Sequence, residues 1–324
     1  MPDHPPVAII GLGLIGGSLA LRLRSAGVDV RAHDTSRETL QAAAAHEITP
    51  YDDLTSMLRE MPDGAIVVLA TPLEQALELM PVVARETAEG VTVTDVVSVK
   101  APMHDAARRA GIAHRFAGAH PMAGTADSGF GAASDALLVD ATWVVTIDDD
   151  TELDRWSAAC RLALVAGGRV VPSDSEWHDH AAAWISHLPH VLAELLAANV
   201  EPRSLAGALA AGSYRDATRV AGTRPELVEA MLVGNRRMLT EVLESFLDQL
   251  EQATLGVRDG QVTELVRRGH EHRTMWESAR DGSASRRQVV ITLSGTDARD
   301  ELRAVGAAGG FIVSHESSTV TALT

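Results

Sequence analysis

The sequence predicts a doubly wound α/β domain over residues 1–172, an all-α domain over 173–287 and a small β-α-β segment over 288–324. Three observations predict it. Val7 to Ile10 is an unbroken apolar run that leads straight into Gly11-Leu-Gly13-Leu14-Ile15-Gly16. Apolar strand-like runs then alternate with helical patterns as far as Val171-Pro172. Beyond that point the strand-like runs stop, and long helical patterns continue to residue 280.

Val7–Ile10 suits a strand buried on both faces. The glycines that follow fall in G-x-G-x-x-G order, and each has a physical task. Gly11 permits the tight turn, Gly13 lets a pyrophosphate approach the backbone, and Gly16 lets the next helix lie close to the strand. A helical pattern follows at Ser18, Leu19, Leu21 and Leu23, and the N–H groups and partial positive charge of its N-terminus suit phosphate oxygens, with Leu14 and Ile15 expected to touch the cofactor. A second strand, Val28 to Ala32, ends at Asp34, about twenty residues on, where a ribose-binding carboxylate is expected. The acid favours NAD, because it accepts from the 2′-hydroxyl and repels a 2′-phosphate. Arg37 lies close enough to keep NADP open.

Strands are expected next at Ala65–Ala70, Val91–Thr94, Phe116–Ala119 and Thr142–Ile147, with helices at 36–45, 73–88 and 101–110. Ligands of such sheets bind outside the carboxyl ends of the strands. Thr71-Pro72, Asp95 to Lys100 and His120 to Gly131 leave those ends and are expected to face the cofactor, Thr71 touching it. The helical region reads as 175–199, 202–212, 224–254 and 258–280. Gln288–Leu293, 297–307 and Gly310–Val313 supply the terminal β-α-β segment.

Composition narrows the function classes. The net charge of −16 argues against a nucleic acid or an anionic membrane as partner. The single cysteine, Cys160, rules out an intramolecular disulfide and sits in a helical pattern as core packing. The N-terminus lacks a basic and apolar signal segment, and no apolar run approaches the roughly 20 residues of a spanning helix. A cytoplasmic protein is expected. Lys100 is the only lysine in the chain, a singularity that chance or a specific task would explain equally well.

Four clusters could carry chemistry. Ser98 follows a strand and precedes a helix, as a cofactor-side hydroxyl or as a helix cap. His120, in His-Pro-Met-Ala-Gly-Thr125, leaves a strand end and could take a proton while hydride leaves. Trp177 to His190 carries His178, His180, His187 and His190 on one helical stretch. That grouping invites a metal, but H-E-x-x-H is absent and nicotinamide chemistry needs none, so no metal is expected. Pro189 should kink this helix and aim His190. Arg219, framed by Val220 and Ala221, reads as partly buried and in want of a carboxylate, from a substrate or from the chain itself.

Together these segments resemble the prephenate dehydrogenase family, including its arogenate-using members. The resemblance rests on residues 11–19, Asp95–Lys100, 120–124, His178-Asp179 with Ser186-His-Leu-Pro-His190, Arg215–Ala221 and Gly234-Asn-Arg236, in order over about residues 7–280. It implies a Rossmann-type nucleotide-binding domain followed by a helical dimerisation domain. It also implies an NAD(P)-dependent oxidative decarboxylation in tyrosine biosynthesis. His120 then takes the proton of the ring 4-hydroxyl, and Ser98 bonds that hydroxyl and helps orient His120. His190 and Arg219 hold the ring carboxylate region, and Thr125 lines the pocket. Two departures bear on the substrate's side-chain end. Ala126 stands where many members carry Glu, and Val228 stands where many carry Trp. Prephenate is the expected substrate and arogenate the alternative. A β-hydroxyacid dehydrogenase would need a lysine in the helical domain, which this chain lacks. A non-catalytic NAD sensor would keep the glycines without needing His120, His190 and Arg219.

Overall fold

In the computed structural model the described residues are 4–125, 127–280 and 286–324. Ala126, singled out above, lies outside them. Five parallel strands form the first sheet: β1 (Val7–Ile10), β2 (Val30–His33), β3 (Thr49–Pro50), β4 (Ile66–Leu69) and β5 (Thr92–Asp95). Their order is β3-β2-β1-β4-β5. The order reverses between β1 and β4, which opens a crevice beyond their carboxyl ends. Alternate residues of each strand enter opposite cores. Val7 and Ile9 pack with Val30, Ala32, Ile66 and Val68. Ala8 and Ile10 pack with Val67, Leu69 and Val93. This is why β1 and β4 read as continuous apolar runs and not as alternating ones.

The second sheet has six strands: β6 (Ala119–Pro121), β7 (Thr142–Thr146), β8 (Arg169–Ser173), β9 (Gln288–Thr292), β10 (Phe311–Glu316) and β11 (Thr319–Leu323). Their order is β6-β7-β8-β10-β11-β9. The strand expected at 116–119 divides its pairing. Phe116 bridges to Val93 of β5, and β6 then pairs with β7 through His120↔Val144. The backbone that carries His120 is thereby fixed from both sheets.

The C-terminal segment is β-α-β-β, one strand longer than expected, and it extends the second sheet. Ile312 of β10 pairs with Val170 of β8. Helix Ala298–Ala307 buries Ala298, Leu302 and Val305. Its Gly306 lies so close to Pro172 that a Cβ would sit 1.7 Å from the proline carbonyl oxygen. Arg299 donates to the carbonyl oxygens of Asp148 and Thr151, and Arg303 to that of Ile147. Residues 288–324 carry too little apolar sequence for a core of their own, and the sheet supplies one.

Contacts divide the chain into two compact units. The first comprises Met1–Ala181, Thr223–Gly234 and Val289–Thr324; the second comprises Ala182–Gly222 and Asn235–Gln288. This differs from the three consecutive segments that composition suggests. The helix expected over 224–254 is two helices, Pro225–Gly234 and Arg236–Asp259. The break has local causes. Gly234 approaches Leu73 so closely that a Cβ would meet its Cδ2 at 2.6 Å. Asn235 is buried, and its amide donates to His187 Nδ1 at 2.9 Å. Both residue types are weak in helix interiors. The second unit also holds helices Leu188–Ala198, Leu205–Leu209, Gly212–Thr218 and Thr263–Arg280. Among the described residues no helix is long and apolar enough to cross a membrane.

Leu302 is fully buried against the nucleotide-domain core. Leu302→Ala should cost about 2–5 kcal/mol and lower the melting temperature of the first unit by roughly 5 °C or more. Calorimetry checks this. An unchanged transition would mean that residues 288–324 fold apart from the sheet.

Candidate active site

The turn after β1 is shaped by contact. Gly11 has φ +96°, a left-handed conformation that suits glycine. A Cβ on Gly16 would lie 2.1 Å from the Gly11 carbonyl oxygen, so helix Leu14–Ser25 could not seat against the turn with any side chain there. Gly13 is the contrast, because a Cβ on it would meet nothing within 4 Å. Its backbone faces open space. The helix has no side-chain cap and no acid in its first turn, so the N–H groups at Leu14 and Ile15 are available to an anion. Asp34 follows β2, and its carboxylate is fixed by two backbone donors, Leu12 N–H and Ser36 N–H, both at 2.8 Å. Across the crevice, just past β4, Thr71 Oγ1 is buried with no hydrogen-bond partner among the described residues. An uncapped helix, an unobstructed glycine, an oriented acid and an orphaned hydroxyl fit a dinucleotide.

The ends of β5 and β6 carry the reactive groups. Asp95 and Lys100 were expected to face the cofactor, yet both are fully buried. Lys100 Nζ pairs with the Asp95 carboxylate and donates to the Ala119 carbonyl oxygen at 2.7 Å. Asp95 also accepts Ala119 N–H at 3.1 Å and Val97 N–H at 3.0 Å. Burial pushes the Asp95 carboxyl up and the Lys100 ammonium down, and their mutual attraction opposes both shifts. The pair clamps the residue before His120.

His120 is half-buried, and its Nδ1 lies 2.9 Å from His178 Nε2. His178 Nδ1 lies 2.8 Å from Asp179 Oδ1. Asp179 also caps helix Ala101–Arg109 from a distance in sequence, accepting Lys100 N–H at 2.7 Å and Ala101 N–H at 2.8 Å. Ser98 therefore does not cap that helix. Its side chain is half-buried at the bend between β5 and the helix. Thr125 is exposed, and its Oγ1 accepts Asp127 N–H at 3.2 Å. Sequence reasoning passed over His178 and Asp179 as part of a histidine-rich helix. The signal was the adjacent His-Asp pair itself.

The four histidines of that stretch separate. His178 turns to His120, His180 meets the Trp177 ring edge-on, and His187 takes the Asn235 amide. The expected kink is a π-helical turn, Ala183–His187, with Pro189 in the first turn of the helix that follows. Within the second unit, His190 Nδ1 is buried and without a hydrogen-bond partner among the described residues. Burial pushes its imidazole below the ordinary value; Glu194 opposes this and Arg219 adds to it. Arg219 itself is exposed, not partly buried as its apolar neighbours suggested. No ion pair holds it among the described residues. An unpartnered ring nitrogen and an unpaired guanidinium suit a carboxylate.

A glycine turn open to phosphates, an acid after the second strand and a histidine held at a strand end define a dinucleotide-dependent dehydrogenase. Comparison with known proteins makes this particular. Residues 19–172 match the model of the prephenate dehydrogenase nucleotide-binding domain, and 174–269 that of the prephenate dehydrogenase dimerization domain. Bacillus subtilis prephenate dehydrogenase is 30% identical over 272 residues, 81% of this chain and 72% of that protein. A Corynebacterium glutamicum protein proposed to be a prephenate dehydrogenase superimposes with a TM-score of 0.85 at 37% identity, covering 94% of this chain and 97% of that one. Prephenate dehydrogenase from Aquifex aeolicus, crystallised with hydroxyphenyl propionate and NAD+, superimposes with a TM-score of 0.75 at 26% identity, covering 86% and 99%. The chain belongs to the prephenate dehydrogenase family.

Proposed function

We propose that this protein oxidises and decarboxylates prephenate to 4-hydroxyphenylpyruvate with NAD. The observation that carries the reading is His120 at the end of β6, held through Nδ1 by the His178–Asp179 pair in a chain of this family. Gly11, Gly13, Leu14, Ile15 and Gly16 cradle the pyrophosphate, Asp34 takes the ribose hydroxyls and Thr71 Oγ1 gains its partner from the cofactor. The oriented Asp34 carboxylate supports NAD over NADP.

When bound, NAD supplies the hydride acceptor. The chain's own residues manage the proton and the charge. His120 accepts the 4-hydroxyl proton as the C4–H bond breaks, leaving a carbonyl at C4. Ser98 donates to that oxygen. Loss of the ring carboxylate as CO₂ leaves its electron pair to complete the aromatic ring, and the resulting phenolate takes a proton back. Aromatisation makes the step essentially irreversible. His190 and Arg219 hold substrate carboxylate, and Thr125 lines the pocket. A dianionic substrate meeting a chain of net charge −16 needs such a local cation.

The second unit supports a homodimer. Leu247, Leu250, Leu255 and Val257 of helix Arg236–Asp259 are 45–66% exposed, and Leu265 and Val266 of the following helix are exposed as well. So many large apolar side chains facing water on adjacent helices mark a surface that a second copy covers. Light scattering at micromolar concentration should give twice the chain mass; a monomer contradicts this assignment.

Purified protein should form NADH when given NAD and prephenate, with a lower kcat/KM for arogenate and for NADP. In His120→Ala, kcat should fall by roughly 10²–10⁴ while NAD affinity holds. Turnover near that of the unaltered enzyme would remove His120 from the mechanism.

Arg219→Lys keeps the charge and loses the guanidinium fork. KM for prephenate should rise about 10- to 100-fold. The melting temperature should barely change, because Arg219 is exposed and no ion pair holds it among the described residues. A normal KM with a melting temperature several degrees lower would make Arg219 structural.

A further inference from the structure

We infer that His178, held by Asp179, is a positioning residue that fixes the tautomer of His120 and shares the charge His120 acquires; this rests on His120 being the base of prephenate oxidation. Both carboxylate oxygens of Asp179 face N–H donors: Oδ1 takes Lys100 N–H, and Oδ2 takes Ala101 N–H. Asp179 is therefore the acceptor towards His178, whose Nδ1 donates at 2.8 Å. A neutral imidazole that donates from Nδ1 has its lone pair on Nε2. That lone pair faces His120 Nδ1 at 2.9 Å, so His120 Nδ1 carries the proton and donates. The lone pair of His120 is left on Nε2, the nitrogen that has to receive the hydroxyl proton. These proton positions follow from the partners of each ring.

The same bonds suit the protonated state. Once His120 Nε2 takes a proton, its Nδ1–H still has an acceptor in His178, and the Asp179 carboxylate lies one ring further on. Helix Ala101–Arg109 adds its positive end to Asp179, which keeps that carboxylate in place. The charged groups packed around these bonds are the Asp95–Lys100 pair and, acting on Lys100, Asp148 and Asp179. His178 is 4% exposed and Asp179 1%. Neither is placed to touch substrate from solvent, which is why the role is positioning and not catalysis.

The test pairs a spectroscopic readout with kinetics on the full-length enzyme. Long-range proton–nitrogen correlation spectra of protein labelled with ¹⁵N-histidine report which nitrogen of each neutral ring carries hydrogen, and His120→Ala assigns the signal. His120 should be protonated on Nδ1 in the unaltered enzyme. In His178→Leu that preference should be lost, and kcat should fall roughly 10- to 100-fold, the loss of one hydrogen bond to a charged ring. KM for prephenate and the dissociation constant for NAD should stay close to normal. His178→Gln places a carbonyl oxygen near the position of Nε2 and should restore both the tautomer and much of kcat. His120 protonated on Nε2 in the unaltered enzyme overturns the inference. So does His178→Leu with an intact tautomer and kcat, or equal losses in the Leu and Gln variants with the tautomer unchanged. If His178→Leu does not fold, the unaltered protein and His178→Gln decide. Should the enzyme oxidise neither prephenate nor arogenate, the functional reading fails, and the spectra still report on the His178–His120 bond.

Discussion

Two buried carboxylates meet at residue 100, and the reactive end of the first unit depends on that meeting. Asp95 takes the Lys100 ammonium, and Asp179 takes the Lys100 backbone N–H. One residue thus ties β5 to helix Ala101–Arg109, to the Ala119 carbonyl next to His120, and to helix Ser175–Ala182. A buried ion pair of this kind is a poor source of net stability, since desolvation offsets most of the attraction. What it provides is position. Remove the ammonium and Asp95 is a stranded charge; remove Asp179 and both the helix terminus and His178 lose their acceptor. The sole lysine of the chain is fully buried between Asp95 and the Ala119 carbonyl, where a planar guanidinium fork is not an equivalent replacement for a compact ammonium.

The parts of this site that were legible in the sequence are those built from near neighbours. Gly11, Gly13, Gly16 and Asp34 follow a local grammar of strand, turn, helix and strand, because a phosphate cradle is a short-range device. The parts that were not legible need contacts across long stretches of chain. His120 and His178 are 58 residues apart, and Lys100 and Asp179 are 79 apart. No periodicity encodes such a meeting. Arg219 misled for a related reason, since Val220 and Ala221 are indeed half-buried while the Arg219 side chain between them and Thr218 is exposed. The break at Asn235 was hidden because helical spacing of apolar residues continues on both sides of it. What interrupts the helix is one buried amide finding a histidine imidazole.

The two units answer water differently. The first buries β-branched and aliphatic residues in two cores, one on each face of its parallel sheet. The second leaves leucines and valines along its helices half-exposed or more. Its buried polar groups are few and specific, chiefly His187 with Asn235. A π-helical turn beside them holds that stretch of backbone away from regular α geometry, a feature that often accompanies functional residues. His190 follows within the next turn.

Strand β10 lies inside the second sheet, between β8 and β11, although the whole helical region separates it from β8 in the chain. Val320 and Ala322 of β11 are core residues. At the ribosome, β8 must wait with an unpaired edge while the whole helical region is synthesised, and bare edges of this kind invite pairing with the wrong strand. The nucleotide-binding unit is therefore completed only after residues 311–323 leave the exit tunnel. A nascent chain cut short near residue 287 has His120 already translated but lacks strands β9, β10 and β11 of the second sheet.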